Sequence, residues 1–326
     1  MNELLNRRHF GQLLGLGLAS GPFACTGFAA NSGQSKPPNF VIVFADDMGY
    51  GDLSSYGHPT IRTPHLDQMA REGLRLTSFY STAPVCTPSR VALMTGRYPV
   101  RAGQPGNLGP DSKKGLPLSE VLLPQVLKKR GYKTMAIGKW HLGHNPVDYM
   151  PTSRGFDSYF GLPYSNDMIP PWVKTEKPLN LYRDTEVIEN PVDQSTLTVR
   201  YTQEAVKFIR SSKDSPFLLY LPHSMPHLPI STADRFREKS RAGLYGDVIE
   251  TIDWSVGRIL EVLKEEGLDE NTMVVFTSDN GPWLNLPSRM LQGGVERWHS
   301  GFKSLLRGAK GTTYEGGMRV PCVVRW

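Results

Sequence analysis

The sequence predicts a large, mainly parallel α/β sheet flanked by helices, and two observations support this fold class. Four short apolar runs are of the kind that a sheet buries on both faces: Phe40–Ala45, Thr134–Ile137, Phe217–Leu221 and Met273–Thr277. Amphipathic segments between these runs predict helices at Pro64–Glu72, Leu118–Arg130, Thr196–Ser211 and Leu244–Glu266. With 326 residues, 39% of them hydrophobic, the chain can build one large domain or two smaller ones.

The first thirty residues differ in composition from the rest of the chain. The pair Arg7-Arg8 precedes an apolar, glycine-rich run from Leu13 to Ala24, and small residues follow as far as Ala30. This pattern is typical of a twin-arginine export signal. The run is too short to cross the roughly 30 Å hydrocarbon core of a bilayer, so we expect no stable membrane anchor. We expect residues 1–30 to direct export to the periplasm or the medium, residues 31–38 to form a linker, and residues 39–326 to form one domain.

Cysteine usage and charge restrict the function only weakly. Cleavage near Ala30 would leave Cys86 and Cys322 from the three cysteines, which is not a disulfide framework. We interpret Cys322 as a small, buried apolar residue. The net charge of +6 suits an anionic substrate, but it also serves solubility. We expect no nucleic-acid partner.

Polar and charged side chains follow each of the four predicted strands. In chain order these side chains are Asp46 and Asp47, Lys139 and His141, His223 and His227, and Asp279 and Asn280. Ligands of open α/β sheets bind beyond the carboxyl ends of the strands. We therefore expect these groups to share one pocket.

The acidic and amide residues of this set offer only oxygen ligands. Carboxylates that lie close together repel one another unless a cation compensates them. Flexible carboxylate and amide oxygens suit Ca²⁺, with Mg²⁺ as the alternative. The competing interpretation is that Asp46-Asp47 caps a helix and that Asp279-Asn280-Gly281 forms an ordinary turn. Because the two sets follow two separate strands, we favour a metal site formed by Asp46, Asp47, Asp279 and Asn280.

The basic residues suit an anionic ligand. Lys139 and His141 lie on a tight loop after a strand, where they could bind a tetrahedral anion and move a proton, although a solvated loop would look similar. His227 follows two prolines that restrict the backbone, and His223 is as easily a structural neighbour as a participant. Glycines lie near Lys310 on both sides, so its ammonium can approach a ligand, although such a lysine is usually a turn residue.

Cys86 stands at the start of an amphipathic run, four residues ahead of Arg90. One interpretation is a thiolate nucleophile, with a pKa lowered by the helix N-terminus and by Arg90. A soft thiolate is poorly matched to a hard cation that prefers oxygen ligands. Residue 86 is better matched to the candidate metal site if it carries oxygen in the mature protein.

The segment Cys86-Thr87-Pro88-Ser89-Arg90, followed by Thr95-Gly96-Arg97, resembles the signature of the type I sulfatases, in which this cysteine is oxidised to formylglycine. The resemblance continues through Asp46-Asp47, GKWHLG at 138–143, PHSMPH at 222–227, SDNG at 278–281 and KGTTYEGGMRVP at 310–321. It covers residues 38–326 and points to the arylsulfatase A-like branch, through GHPTIRTPHLDQMAREGLRLTSFYS and GLPYSNDM. It implies the alkaline-phosphatase-like sulfatase fold. Because such chains continue into a smaller C-terminal subdomain, we expect this catalytic domain to be truncated at its C-terminal end.

The resemblance also implies a role for each matching residue. A formylglycine oxygen at position 86 would join Asp46, Asp47, Asp279 and Asn280 around the metal. Arg90 and His141 would orient the hydrated aldehyde, and Lys139 and Lys310 would bind the sulfate oxygens. His227 would face the ester oxygen. Ser165 would contact the substrate.

The implied reaction is hydrolysis of aryl or carbohydrate sulfate monoesters. One hydroxyl of the hydrated aldehyde attacks sulfur, His227 protonates the leaving alcohol, and the second hydroxyl, with His141 as base, expels sulfate. A maturation enzyme would read the cysteine tag before the chain folds. Two alternatives stay open: a phosphonate or phosphodiester hydrolase of the same superfamily, and a catalytically silent protein that binds sulfated glycans.

Overall fold

Nine strands of the described residues, 36–291 and 295–326 of a computed structural model, form one mixed sheet. The strands are β1 (Asn39–Ala45), β2 (Leu74–Arg75), β3 (Lys133–Lys139), β4 (Ser158–Leu162), β5 (Leu181–Arg183), β6 (Glu186–Glu189), β7 (Phe217–Pro222), β8 (Thr272–Ser278) and β9 (Cys322–Arg325). Their order across the sheet is β2-β9-β8-β1-β7-β3-β4-β5-β6.

The centre of the sheet is parallel and its edges are antiparallel. Strand β1 pairs in parallel with both β7 and β8, and β3 pairs in parallel with β7 and β4. Strands β9, β2, β5 and β6 join with antiparallel pairing. This arrangement confirms the predicted mainly parallel sheet with mixed edges, and the four predicted strands are β1, β3, β7 and β8.

Six α-helices accompany these strands in the same residues. They are α1 (Pro64–Glu72), α2 (Cys86–Thr95), α3 (Leu123–Lys128), α4 (Leu197–Ser212), α5 (Gly243–Glu265) and α6 (Glu315–Met318). Helix α1 has the predicted bounds, and α4 and α5 differ from prediction by one residue at each end.

The predicted helix over Leu118–Arg130 was wrong at both ends, because helix α3 spans only Leu123–Lys128. Helix α3 begins at Leu123, and Pro124 occupies its first turn, where a missing N–H costs nothing. The side chain of Gln125 accepts a hydrogen bond from the Leu122 N–H (2.8 Å), which closes the start of the helix. Leu118 and Val121 are exposed, so their spacing imitates a helical face without forming one.

The core lies on both faces of the sheet. Along β7, Phe217, Leu219 and Leu221 pack into the larger apolar cluster, with side chains of α4 and α5. The alternate residues Leu218 and Tyr220 pack into the second cluster, on the opposite face. Burial on both faces is the physical reason that β7 reads as an uninterrupted apolar run.

Two sequence predictions concern other parts of the chain. Cys322 is buried in β9, as expected for a small apolar residue. The export signal at 1–30, and most of the linker that follows it, lie outside the described residues.

None of the helices in residues 36–291 and 295–326 has the length and apolar character needed to cross a membrane.

Candidate active site

The carboxyl ends of β1, β3, β7 and β8 meet at one edge of the sheet. Ala45 pairs with Ser278, and Phe44 pairs with Pro222, so the segments after β1, β7 and β8 begin side by side. The structure brings the predicted site residues together beyond this edge: Asp46, Asp47, Cys86, Arg90, Lys139, His141, Ser165, His227, Asp279, Asn280 and Lys310.

Two adjacent carboxylates lie at the middle of this cluster. Asp46 Oδ1 lies 3.7 Å from Cys86 Sγ, and Asp47 Oδ2 lies 3.6 Å from His227 Nε2. Ligand atoms of Asp46, Asp47, Cys86 and His227 all lie within 4.8 Å of one another. Asp47 has a positive φ of 66°, which is strained for a residue with a side chain and is often found at functional sites.

Asp279 and Asn280, which follow β8, complete the oxygen set. Asp279 Oδ1 accepts a hydrogen bond from the Asp47 N–H (3.1 Å), and Asn280 Nδ2 donates to Asp47 Oδ1 (2.7 Å). The other amide atom, Asn280 Oδ1, is buried and has no hydrogen-bond partner among the described residues. A buried oxygen without a partner is uncommon, and an amide oxygen beside carboxylates is a ligand type that Ca²⁺ and Mg²⁺ accept. The residues therefore fit a hard divalent cation.

Each of the three carboxylates also has a basic partner. Lys139 Nζ lies 2.5 Å from Asp46, Lys310 Nζ lies 2.7 Å from Asp47, and Arg90 lies 2.8 Å from Asp279. These three basic side chains thus compensate the negative charge of the carboxylates, a role that the sequence argument assigned to a metal alone. With charges paired in this way, the cluster has no net attraction for an anion. A divalent cation would give the cluster a net attraction for an anion, because its positive charge would replace that of the lysines beside the carboxylates and leave the lysines available to an anionic ligand.

The carboxylates still repel one another, as expected. Burial raises the pKa of Asp279 above its usual value, and the neighbouring Asp46 raises it further. Burial would also raise the pKa of Asp46, but Lys139, His227 and Arg90 together hold it below its usual value. Of Asp46 and Asp279, Asp46 is therefore the carboxylate that the basic side chains keep ionised more strongly.

Cys86 begins α2 and is buried beside Asp46. Burial raises the pKa of its thiol to about 12, although Lys139 and Lys310 act in the opposite direction. The interpretation of Cys86 as a low-pKa thiolate was wrong, because the cost of burying the charge exceeds the help from the helix N-terminus. In this environment the unmodified side chain is a neutral thiol.

Arg90 lies one turn after Cys86, on the inner side of α2. Its guanidinium is fully buried and donates to Asp279 Oδ2 (2.8 Å) and to the Lys139 carbonyl (2.9 Å). It also lies over the ring of Phe44, 5.4 Å from the ring centroid. Arg90 therefore connects the end of β3 with the loop after β8 and positions Asp279.

His141 has the geometry of a base. Its φ is 57°, and its Nε2–H donates to the Leu108 carbonyl (2.8 Å), because a carbonyl can only accept. Nδ1 is buried without a hydrogen-bond partner among the described residues. Burial, with Lys139 nearby, holds the pKa of His141 well below its usual value. The ring is therefore neutral, and its Nδ1 lone pair is free to take a proton.

The two histidines after β7 differ in their contacts. His227 Nδ1–H donates to the Leu228 carbonyl (2.6 Å), which leaves Nε2 beside Asp47 to give or take a proton. His223 lies 3.4 Å from Ser255 Oγ, and burial lowers its pKa to about 3. His223 is thus the structural neighbour, and His227 lies in the site.

Lys139 Nζ donates to Ser165 Oγ (3.0 Å), which places the Ser165 loop in the site.

The sequence argument missed two residues of the site, Asp167 and Trp283. Asp167 follows in the Ser165 loop; burial raises its pKa, but His227, Lys139 and Lys310 hold it below its usual value. Trp283 lies beneath Lys310 Nζ, 4.8 Å from the ring centroid, and its ring centroid is 5.9 Å from that of His227. A single acid or tryptophan in a loop carries no pattern that could have identified either residue.

Comparison with known proteins completes the description of the site. A family model described as Sulfatase matches residues 38–326. The chain is 42% identical over 317 residues to arylsulfatase A of Homo sapiens, which covers 91% of this chain and 61% of that protein. It is 42% identical over 315 residues to N-acetylgalactosamine-6-sulfatase of Rattus norvegicus, covering 90% of this chain and 58% of the relative.

A solved structure is also similar. Ps i-CgsB in complex with k-i-k-neocarrahexaose matches with a TM-score of 0.75 and 31% identity, over 89% of this chain and 66% of that one. Against the two curated relatives, the chain spans about three fifths of the relative's length, 61% and 58%.

Proposed function

The chain belongs to the sulfatase family, and from this premise we propose that it hydrolyses sulfate monoesters. The observation that carries the proposal is the pair of lysines beside Cys86. Lys139 at the end of β3 and Lys310 in the loop before α6 reach the carboxylates next to Cys86, and their positive charges oppose the rise in the pKa of its thiol that burial causes. With a divalent cation compensating the carboxylates, two ammonium groups that converge on this position would suit a tetrahedral anion.

We propose that Cys86 is converted to formylglycine by a maturation enzyme that reads the Cys86–Arg90 tag. The burial of Cys86 and Arg90 supports conversion before folding, because neither side chain is accessible in the folded protein. When present, the hydrated aldehyde supplies a nucleophilic oxygen for sulfur and a second hydroxyl for release of sulfate.

Asp46, Asp47, Asp279 and Asn280 would hold a divalent cation, Ca²⁺ in preference to Mg²⁺. When bound, the cation supplies positive charge that polarises the sulfate group.

The chain's own residues would bind the sulfate group, transfer the protons and position the carboxylates. Lys139 and Lys310 exchange their carboxylate partners for sulfate oxygens, and Ser165 holds Lys139 in place. His227 gives a proton from Nε2 to the leaving oxygen, while its Nδ1–H stays on the Leu228 carbonyl. His141 takes a proton at Nδ1. Arg90 keeps Asp279 in position.

The proposed substrate class is a carbohydrate or aryl sulfate. The names of two similar proteins, an N-acetylgalactosamine-6-sulfatase and a protein solved with neocarrahexaose, support the carbohydrate. We further propose that residues 1–30 direct the protein to the twin-arginine machinery and are removed on export, which would give it access to extracellular glycans.

The direct experiment is to compare turnover of nitrophenyl sulfate with turnover of a matched nitrophenyl phosphodiester. We expect sulfate release to exceed phosphodiester hydrolysis, because Lys139 and Lys310 would bind terminal oxygens, of which a sulfate monoester has three and a phosphodiester only two. Faster turnover of the phosphodiester would identify a phosphonate or phosphodiester hydrolase. Binding of sulfated glycans without turnover of either compound would identify a silent binding protein.

Metal removal gives a second prediction. Chelation should lower the rate of nitrophenyl sulfate hydrolysis, and Ca²⁺ should restore it, because the paired cluster alone has no net attraction for sulfate. Addition of Na⁺ at matched ionic strength is the control for salt screening. Full turnover by chelated, metal-free protein, with metal content confirmed by mass spectrometry, would show that no cation takes part.

A further inference from the structure

A groove lies on the surface beside the candidate active site, between the start of α5 and the loop at residues 298–302. A separate, narrow cavity of about 10 Å³ adjoins it and is lined by residues that include Asp47, Trp283, Tyr245 and Ser300. The groove is lined by residues that include Tyr245, Ser300, Arg241 and Trp298, and has a volume of about 550 Å³. Because the cavity shares Tyr245 and Ser300 with the groove, the groove lies at the rim of the site. Its volume lies within the roughly 300–1,000 Å³ range of ligand clefts.

We propose that this groove binds a neighbouring, anionic sugar residue of an oligosaccharide whose sulfate ester lies at Cys86. The inference rests on the proposed function, because it takes Asp47 and His227 as the place where the ester is cleaved. It names the substrate class more closely: a sulfated oligosaccharide rather than a small aryl sulfate.

The wall of the groove is held rigidly. Asp52 is buried and accepts hydrogen bonds from the Tyr245 hydroxyl (2.7 Å) and from the Phe302 N–H (2.6 Å). Gly301 lies so close that an added Cβ would come within 2.6 Å of both Asp52 and the Tyr245 hydroxyl. The loop at 298–302 is therefore fixed against α5, and a ligand meets a preformed surface.

Trp298 offers an aromatic platform in this surface. Its side chain is 61% exposed, which is unusual for a tryptophan, and Gly243 packs against the indole. Gly243 has a φ of 61°, and an added Cβ would come within 2.8 Å of the indole ring. The glycine thus supports the ring from one side. A sugar ring has an apolar C–H face that stacks on exposed aromatic rings of this kind.

The groove also carries uncompensated positive charge. Arg241 is exposed and forms no ion pair or side-chain hydrogen bond in the part of the chain that the structure describes. The nearby acid Glu250 is engaged by Ser240 Oγ (2.6 Å) and by the Arg62 N–H (3.1 Å). An unpaired guanidinium and an exposed aromatic ring in one groove suit a sugar that bears a sulfate or carboxylate. Ser300, in the same lining, adds a hydroxyl that can form hydrogen bonds.

The test measures competition against hydrolysis of nitrophenyl sulfate. The competitors are tetrasaccharides from carrageenan and from chondroitin sulfate, each compared with its sulfated monosaccharide. For the unchanged protein we expect at least one tetrasaccharide to compete roughly tenfold more tightly than its monosaccharide, the gain typical of one aromatic anchor. Trp298→Ala should remove most of this gain, Trp298→Phe should retain part of it, and Arg241→Ala should reduce it several-fold.

The controls separate the groove from general effects. All three groove variants should hydrolyse nitrophenyl sulfate at the unchanged rate, since neither residue touches the reacting group. Trp326→Ala removes an equally exposed tryptophan (69%), and Arg130→Ala removes an exposed arginine near the amino end of β3. Both should leave the tetrasaccharide gain intact.

The outcomes separate the two proposals. Failure of the aldehyde-bearing protein to hydrolyse nitrophenyl sulfate would count against the proposed function, and tetrasaccharide binding to the inert Cys86→Ala variant, followed by tryptophan fluorescence, would then test the groove alone. If nitrophenyl sulfate is hydrolysed but no tetrasaccharide competes better than its monosaccharide, the groove is not a sugar site. An equal gain in Trp298→Ala, or an equal loss in Trp326→Ala, would also overturn the inference.

Discussion

Asp279→Asn is expected to lower sulfate ester turnover by about 10³-fold or more, because a bound metal ion supplies several kcal/mol of transition-state stabilisation. The amide keeps the shape of the side chain and an oxygen that can accept the Asp47 N–H, now at 3.1 Å from Asp279 Oδ1. It removes the charge that a cation and Arg90 both need. The expected lesion is therefore loss of metal with an intact fold.

Three measurements check this prediction: metal per chain after dialysis, turnover of nitrophenyl sulfate, and thermal unfolding. Asp148→Asn is the matched control, because Asp148 is an exposed acid outside the site, and it should behave like the unchanged protein. Asp279→Ala should in addition destabilise the fold by about 3–5 kcal/mol, since it leaves the buried Arg90 without its closest partner. Unchanged metal content in Asp279→Asn would show that the ligand assignment is wrong.

His227→Ala is expected to have an effect that depends on the leaving group. Removal of a general acid typically costs about 10²–10⁴-fold, and we expect a loss in this range for an alkyl or sugar sulfate. The loss should be clearly smaller for nitrophenyl sulfate, because an acidic phenol leaves without a proton. The structural reason is that Nδ1 is fixed on the Leu228 carbonyl, so that Nε2 is the nitrogen beside Asp47.

Lys310→Ala is the contrasting variant. A lysine that binds sulfate oxygens serves every substrate alike, so both rates should fall by similar factors. The comparison uses the ratio of two rates within one variant, so partial unfolding and incomplete aldehyde content cancel. Equal losses on both substrates in His227→Ala would mean that His227 only binds sulfate, and Lys310 would then be the first candidate for the proton donor.

The sequence allowed the centre of the fold and the centre of the site to be predicted together. Asp46, Asp47, Asp279 and Asn280 were found because they directly follow apolar strands, and the ends of neighbouring parallel strands meet by geometry alone. Ser165 lies on a loop, and only the resemblance to a family indicated it. No strand rule reaches such a residue, because its position depends on how the loop packs.

Other features depended on burial, which a sequence pattern does not state. The position of Cys86 at a helix start suggested a lowered pKa, but burial reverses the direction. The spacing of Leu118 and Val121 suggested a helix, but both side chains are exposed and the helix begins only at Leu123. Trp298 and Arg241 form a surface only after two distant segments meet at Tyr245 and Ser300, so no local signal could predict the groove.

The central claim is that position 86 works as an aldehyde and not as a thiol. It is tested most directly by measuring the mass of the peptide that contains Cys86, together with sulfate release, in protein produced with and without a maturation enzyme. We predict that the rate of sulfate release rises in proportion to the aldehyde fraction and is absent from protein that carries only the thiol. Sulfate release at an equal rate by protein with only the free thiol at position 86 would contradict the claim.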